Sequence, residues 1–436
     1  MTTAVPVAIA AAAALWSCGK KPPAQDPPGP PTLAELAPTN LPGPLPDSTN
    51  RFADDPRAAA LGKRLFVDPG FSGALIDGDN DGSANALGVR GQTGKISCAG
   101  CHVPAAGFLD DRSLGKQISL AAGWNLRRTP SLLDVGQSKV LHWDGRRDAI
   151  WNQIFGPLEH ASEMNSSRLF AAEQIFQRYR ADYEAIFGPL PPLDDAARFP
   201  PLDAAHTGCT IRPGGEQQCH GVPGDAAEYA GMRAADQEAV TRVMVNFGKA
   251  IEAYLRTLSC GPSRFDDWAH GNSAALNASE QRGAALFLGK ASCATCHRGA
   301  FLSDEKFHNV GLYPQTVAAV FIDANDPGAL VGLRQALADP LNTRGKFSDG
   351  DDGRLPADVG SEMEGAFRTP KLRCVSARPS FMHTGQLMTL EQVVDFFDRG
   401  GYPMGYPGVN ELKPLGLSAQ EKSDLVAFMK SLGELH

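Results

Sequence analysis

The sequence predicts a mostly α protein built from two repeated units, on three observations. A Cys-x-x-Cys-His run occurs twice, the same Gly-x-x-Leu-Phe signature precedes each run, and apolar residues recur at helical rather than strand spacing. With 42% apolar and 21% charged residues, the 436-residue chain is too apolar for general disorder. Its net charge of −8 and the absence of any run of five basic residues argue against a nucleic-acid binder.

Taken from the N-terminus, residues 1–18 read as an export signal. The apolar stretch from Val5 to Trp16, broken by Pro6, is shorter than the ~20 residues a membrane-spanning helix needs. With Ser17-Cys18-Gly19 behind it, the stretch resembles a bacterial lipoprotein signal, which implies a periplasmic protein tethered to a membrane through a lipidated Cys18. Ten of the 32 residues from 19 to 50 are proline, which predicts an extended tether with no helix and a globular part that starts near Arg51.

Cys98-Ala99-Gly100-Cys101-His102 and Cys293-Ala294-Thr295-Cys296-His297 match the c-type haem attachment pattern. Two thiols three residues apart can both form thioethers to the haem vinyl groups, and the adjacent His is then placed under the iron as its proximal ligand. A zinc site would need a second Cys/His pair near each run, and a redox dithiol would not need the His. The runs lie 195 residues apart, after Gly62-x-x-Leu65-Phe66 and Gly283-x-x-Leu286-Phe287. The expected architecture is two cytochrome-c-like haem domains related by internal duplication, at 51–238 and 239–436, with two covalently bound haem c.

Between Phe66 and Cys98 the first unit carries 26 residues more than the second carries between Phe287 and Cys293. This insertion contains Asp77-Gly78-Asp79-Asn80-Asp81-Gly82, the opening of a calcium loop. Its twelfth position is Gly88, where a bidentate Glu would be needed, so it reads as a polar surface loop, with weak calcium binding as the rival. Val240, Val243, Phe247, Ile251, Leu255 and Leu258 predict an amphipathic helix in the core of the second unit. Thr389-x-x-Gln392 and Ser418-x-x-Glu421 predict capped helix starts, with Gly400 and Gly433 placed to end those helices. Of the remaining cysteines, Cys209 and Cys219 bracket a Pro213-Gly214-Gly215 turn and are expected to form a disulfide. Cys260 and Cys374 are left as a second pair.

Between the haem motifs come Trp143-Asp144-Gly145-Arg146, Gln153, Pro157 and Glu163-Met164. Later come Phe307-His308-Asn309-Val310-Gly311, Phe367-Arg368-Thr369-Pro370, Met382-His383-Thr384-Gly385 and Asp398-Arg399-Gly400-Gly401. From about Arg51 to Leu432 the chain thereby resembles the bacterial di-haem cytochrome c peroxidase and MauG family. The resemblance implies that the His102 haem reacts with hydrogen peroxide, that Gln153 and Glu163 line its distal pocket, and that the His297 haem passes on electrons from a small donor protein, a cytochrome c or cupredoxin. The residue chemistry agrees. A carboxyl group over an open iron can take a proton from one peroxide oxygen and return it to the other, which suits Glu163. The Gln153 amide can hydrogen-bond peroxide without competing for its proton, and a buried Trp143 between two haems offers a π-system for electron passage.

Three positions depart from the family pattern. Ala122 stands where many members carry a distal His before the Gly123-Trp124 pair, which implies an open first haem with no reductive activation. Phe397 stands where the second haem's Met or Tyr ligand is expected, and since a phenyl ring cannot ligate iron, that haem is five-coordinate or uses another donor, with Tyr402, Met404 and Tyr406 nearby. Arg128 stands at the Asn of the family's calcium site, which makes calcium there doubtful. The leading expectation is a peroxidase. Its rivals are a MauG-like enzyme that oxidises residues of a partner protein, and a non-enzymatic electron carrier or redox sensor.

Overall fold

A computed structural model describes residues 31–112, 119–211, 217–313 and 325–435; the export-signal and Cys18 expectations lie outside the described residues. Two helix crossings organise the chain. Helix Pro56–Val67 starts on Asp55, whose carboxylate accepts the Arg57 amide, with proline at its first turn where no amide is needed. It buries Leu61, Leu65 and Phe66 and lies across helix Ala234–Leu255. The crossing is close because residue 62 is glycine: a Cβ there would fall 1.9 Å from the Ala250 carbonyl oxygen.

The second crossing repeats the first. Helix Ala278–Leu288 begins in a capping box of Asn277 and Glu280, helix Ala419–Lys430 in the expected box of Ser418 and Glu421, and a Cβ on Gly283 would fall 2.0 Å from the Asp424 carbonyl oxygen. Helix Leu390–Asp398 starts on Thr389, as expected, and the backbone turns out of it at Gly400 with φ 80°. Among the described residues only two short antiparallel ribbons occur, Gly208–Ile211 with Gln217–His220 and Phe307–His308 with Phe367–Arg368. Both expected disulfides form, Cys209–Cys219 across the first ribbon and Cys260–Cys374 between distant segments.

The packing corrects two expectations. Val240, Val243, Phe247, Ile251 and Leu255 are buried in the first core, with Leu61, Phe66, Ile150 and Ile175, so their helix belongs to the first unit, and a boundary at 238/239 would cut it. Helical periodicity revealed the apolar face but not the face's partner; the close approach at Gly62 decides it.

The segment before Arg51 is not an extended tether throughout. Thr32 and Glu35 cap a turn of helix, Leu33–Leu36, and Leu36 and Ala37 are buried in the second core. From there the chain runs back to the first unit, where Arg256 donates to the Leu45 carbonyl, Asp47 pairs with Arg354, and Thr49 and Asn50 are buried. The prolines disfavour long helix but leave carbonyls free to be gripped by side chains from both cores.

Candidate active site

Each Cys-x-x-Cys-His run folds into a single tight turn that closes on its histidine: the His102 amide donates to Cys98 O at 2.8 Å and the His297 amide to Cys293 O at 2.9 Å. The rings are held in the same way. His102 Nδ1 lies 3.1 Å from Phe108 O and His297 Nδ1 lies 2.9 Å from Leu302 O, so Nδ1–H donates to a carbonyl in both and the Nε2 lone pair is left for a metal. Phe108 and Leu302 take φ 60° and 55°, which turns those carbonyls inward. Burial pushes both imidazoles down to about 4, which keeps them neutral, the form that binds iron.

All four motif cysteines are unbridged. Burial pushes the thiols of Cys98, Cys101 and Cys293 up to about 12, far from the lowered values of a reactive dithiol. Among the described residues one trio of His, Cys, Asp or Glu lies close enough to share a metal, Cys296, Asp304 and His308. It leaves the first motif without the extra ligands zinc would need.

Two backbone bonds join the Ala122 segment and the Glu163 loop into one wall. The Ala122 amide donates to Glu163 O and the Gly123 amide to Ser162 O, both at 2.9 Å. Ala122 is fully buried, and its methyl group offers no ligand atom. The Glu163 side chain is half-buried, and its charge adds to the effect of burial in raising the thiols of both Cys98 and Cys101. Gln153 ends helix Ile150–Gln153 and is also half-buried. The insertion supports this wall from behind: Asn80 Nδ2 donates to both Ala121 O and Ala122 O, at 3.1 Å each. The Asp77 and Asp81 carboxylates accept the amides two residues on, and Asp79 accepts Trp124 Nε1–H.

Trp143 lies at the junction of the units. Its Nε1–H donates to Arg128 O at 2.6 Å, and its carbonyl accepts the Arg368 amide at 2.7 Å. Its ring is 6.4 Å from that of His383, which stacks on Phe367 at 3.5 Å. The sequence reading did not single out the position of His383 beside Trp143, although a signal for it existed. Residues 128–147 and 368–387 correspond at a constant offset of 240, starting with Arg128-Thr129-Pro130-x-Leu132 and Arg368-Thr369-Pro370-x-Leu372. Positive φ recurs at Asp134 and Cys374, at His142 and Met382, and at Gly145 and Gly385. The Leu141–Arg147 bridge recurs as Phe381–Leu387, which puts His383 in the place of Trp143.

In the second unit, Phe397 and Tyr402 pack with Phe396, Leu312, Leu387 and Met382. The Tyr402 hydroxyl accepts from Gln386 Nε2 at 3.3 Å. Met404 is 76% exposed, which counts against the expectation that it is a ligand.

The residues fit two haems on the chemistry of their donors, and unpaired buried groups agree. Nε and Nη1 of Arg112, Nε and Nη1 of Arg128, Nε of Arg378 and Nε2 of His142 are buried without hydrogen-bond partners, as donors to haem propionates would be before the carboxylates are present. Arg128, whose Nη2 donates to Asp110 O, is buried and sets a positive charge at the position where the sequence made calcium binding by this chain doubtful.

Fold and site together define a di-haem c-type cytochrome enzyme. The family model for di-haem cytochrome c peroxidase matches residues 56–209. The chain is 29% identical to the methylamine utilization protein MauG of Methylorubrum extorquens over 382 residues, 86% of this chain and 78% of that one. It is also 29% identical to the cytochrome-c peroxidase IdrP1 of Denitromonas iodatirespirans, over 92% of this chain and 86% of the other. Among solved structures, a MauG-like protein associated with microbial copper homeostasis aligns at TM-score 0.54 and 25% identity, covering 91% of this chain and 94% of its own. The diheme peroxidase BthA of Burkholderia thailandensis aligns at TM-score 0.60 and 21% identity over 91% and 95%, a likeness of fold. Over most of its length the chain is similar to proteins of the di-haem cytochrome c peroxidase and MauG family, and it carries two covalently bound c-type haems.

Proposed function

We propose that the protein is a periplasmic di-haem peroxidase that reduces hydrogen peroxide to water with electrons from a small redox protein. The observation that supports this reading is the bond between the Ala122 amide and Glu163 O, which pairs a carboxylate with a residue whose side chain offers no ligand atom. When bound, the two haems supply an iron site for reduction of the O–O bond and a relay for the electrons it consumes. His102 and His297 hold them through Nε2, oriented by the Phe108 and Leu302 carbonyls. Glu163 takes the proton from one peroxide oxygen and returns it to the leaving oxygen, while the Gln153 amide orients the substrate. Trp143, bonded to both units, lies on the route between them.

We read the two units as an internal duplication, from the repeated helix crossing and the stretch repeated at offset 240. The first unit then runs from 51 through the end of helix Ala234–Leu255, and the second takes the remainder. Export by residues 1–18 with Cys18 lipidated rests on the sequence alone; among the described residues no helix is long and apolar enough to cross a membrane. The chain's −8 charge, increased by four propionates, favours a basic donor cytochrome. Turnover with a basic cytochrome c should fall steadily as salt rises from 10 to 200 mM; a flat profile would remove the steering claim alone.

The MauG-like reading, oxidation of residues on a partner protein, draws on the same Ala122 together with Phe397. Rapid mixing of the oxidised protein with peroxide, with and without reduced cytochrome c, separates the two. A peroxidase returns to its resting spectrum only with the cytochrome. The electron-carrier reading predicts that Glu163→Gln changes nothing.

A further inference from the structure

The loop that carries Glu163 is gripped by a part of the chain with no haem ligand. Asn165, two residues after Glu163, is 1% exposed and sits at φ 46°. Its Nδ2 donates to Ala74 O at 2.9 Å and to Cys209 O at 3.2 Å, and its Oδ1 accepts the Cys209 amide at 2.6 Å. Cys209 is bonded to Cys219, and the two pack with Val222 against Ala161, two residues before Glu163. The stapled hairpin therefore touches the loop on both sides of its acid. Two glycines allow the approach: a Cβ on Gly208 would fall 1.9 Å, and one on Gly73 2.0 Å, from Asn165 O. The Gly73 amide donates to Met164 O at 3.0 Å, closing the third side.

A half-buried carboxylate on a surface loop has many rotamers and backbone states, and proton transfer tolerates little misplacement. Asn165 removes that freedom with three hydrogen bonds, and the disulfide fixes the strand it holds. We propose that the Cys209–Cys219 hairpin, acting through Asn165, is a positioning clamp that sets Glu163 over the His102 haem; this rests on the reading of Glu163 as the proton-transferring group. Asn165 is a positioning residue, since its bonds go to Ala74 and Cys209.

Asn165→Gly tests the clamp cleanly, because glycine accepts φ 46° and only the side-chain grip is lost. In the haem-loaded protein it should lower the rate of the peroxide reaction about tenfold or more, with the KM for reduced cytochrome c unchanged. It should also speed hydrogen exchange at the Ala122 and Gly123 amides, which bond to the Glu163 and Ser162 carbonyls, while the resting haem spectrum stays as it was. Asn165→Asp, which keeps the acceptor for the Cys209 amide, should recover part of the rate. The double Cys209→Ser/Cys219→Ser variant should likewise slow the peroxide reaction and speed exchange at the Ala122 and Gly123 amides, as Asn165→Gly does. Adding Asn165→Gly to Glu163→Gln should cost nothing further, because a clamp without its acid has nothing to position. A rate within about twofold of wild type in Asn165→Gly, with exchange unchanged, or full additivity with Glu163→Gln, overturns the clamp. An unimpaired Glu163→Gln instead overturns the reading of Glu163 itself.

Discussion

Under His102 and under His297 the chain does the same thing: a Cys-x-x-Cys turn, a histidine whose Nδ1–H is held by a carbonyl five or six residues on, and a residue of positive φ that presents that carbonyl. Above them, on the proposed reading, the units diverge. The first roof is then Ala122 with the Glu163 loop, joined by a backbone bond, and the second is the cluster of Phe396, Phe397 and Tyr402 with Met382. The lower half of each site fixes the imidazole's orientation and protonation state and can be shared, whereas the proposed upper half sets a proton carrier against packed rings.

The largest break in this comparison should come from Glu163→Gln, which keeps shape and hydrogen-bonding capacity but cannot carry the proton. Peroxide-driven oxidation of cytochrome c is expected to fall about 10²- to 10⁴-fold in stopped-flow measurements, with haem content unchanged. Tyr402→Phe in the other roof should leave the peroxide step intact and alter only the spectrum of the second haem.

A second contrast lies at positions related by the offset of 240. Leu133 is an apolar core residue of the first unit; its counterpart Arg373 is buried and forms a two-bonded ion pair with Asp266, at 2.7 and 2.8 Å, while donating to the Leu36 carbonyl of the strap before Arg51. Arg373→Leu makes the units alike at this point but leaves the Asp266 charge buried without its partner, which should cost about 3–5 kcal/mol in urea unfolding. Adding Asp266→Asn should recover part of that loss.

The helix crossings should instead prove equivalent. Gly62→Ala and Gly283→Ala each drive a methyl group to about 2 Å from a carbonyl oxygen, and each should destabilise by about 1–3 kcal/mol, read as a lowered Tm. A large inequality between the two would weaken the case for one duplicated crossing.

Much of this was legible in the sequence because the haem turns, the capping boxes and the disulfide hairpin are local: a few adjacent residues specify each. What was misread depended on partners far along the chain. Helix Ala234–Leu255 shows the same apolar stripe whichever core it joins, and only the fit of Gly62 against Ala250 selects one. The 33–50 segment looked like a tether because proline content reports propensity, whereas its order comes from Arg256, Arg354 and Arg373 reaching its carbonyls and Asp47. The clamp on Glu163 was hidden for the same reason: Asn165 is an ordinary loop residue until the hairpin some 44 residues later closes on it.

Two buried carboxylates extend the comparison to pH. In the first unit, Glu173 is 3% exposed and accepts one backbone amide, from Leu202 at 3.2 Å; burial pushes its carboxyl up to about 8. In the second, Asp424 is 2% exposed but bonded to Arg282, Ser279 and Gln420, with Arg282 the largest cause, and is held down at about 2. The signs are opposite. Glu173 stays protonated in the folded chain while the unfolded chain loses the proton above about 4.3, so its presence weakens the fold progressively from there to about 8. Asp424 is ionised in the folded chain, so its stabilisation is complete above about 4 and disappears as pH falls through 2. Glu173→Gln should therefore raise stability by about 1–3 kcal/mol at pH 8, leave it nearly unchanged at pH 4, and flatten the urea midpoint between them. Asp424→Asn should lower stability at pH 7, with a loss that shrinks as the pH is brought down toward 2. If both variants moved stability in the same direction at pH 8, the assignment of one neutral and one charged carboxyl to the two units would be wrong.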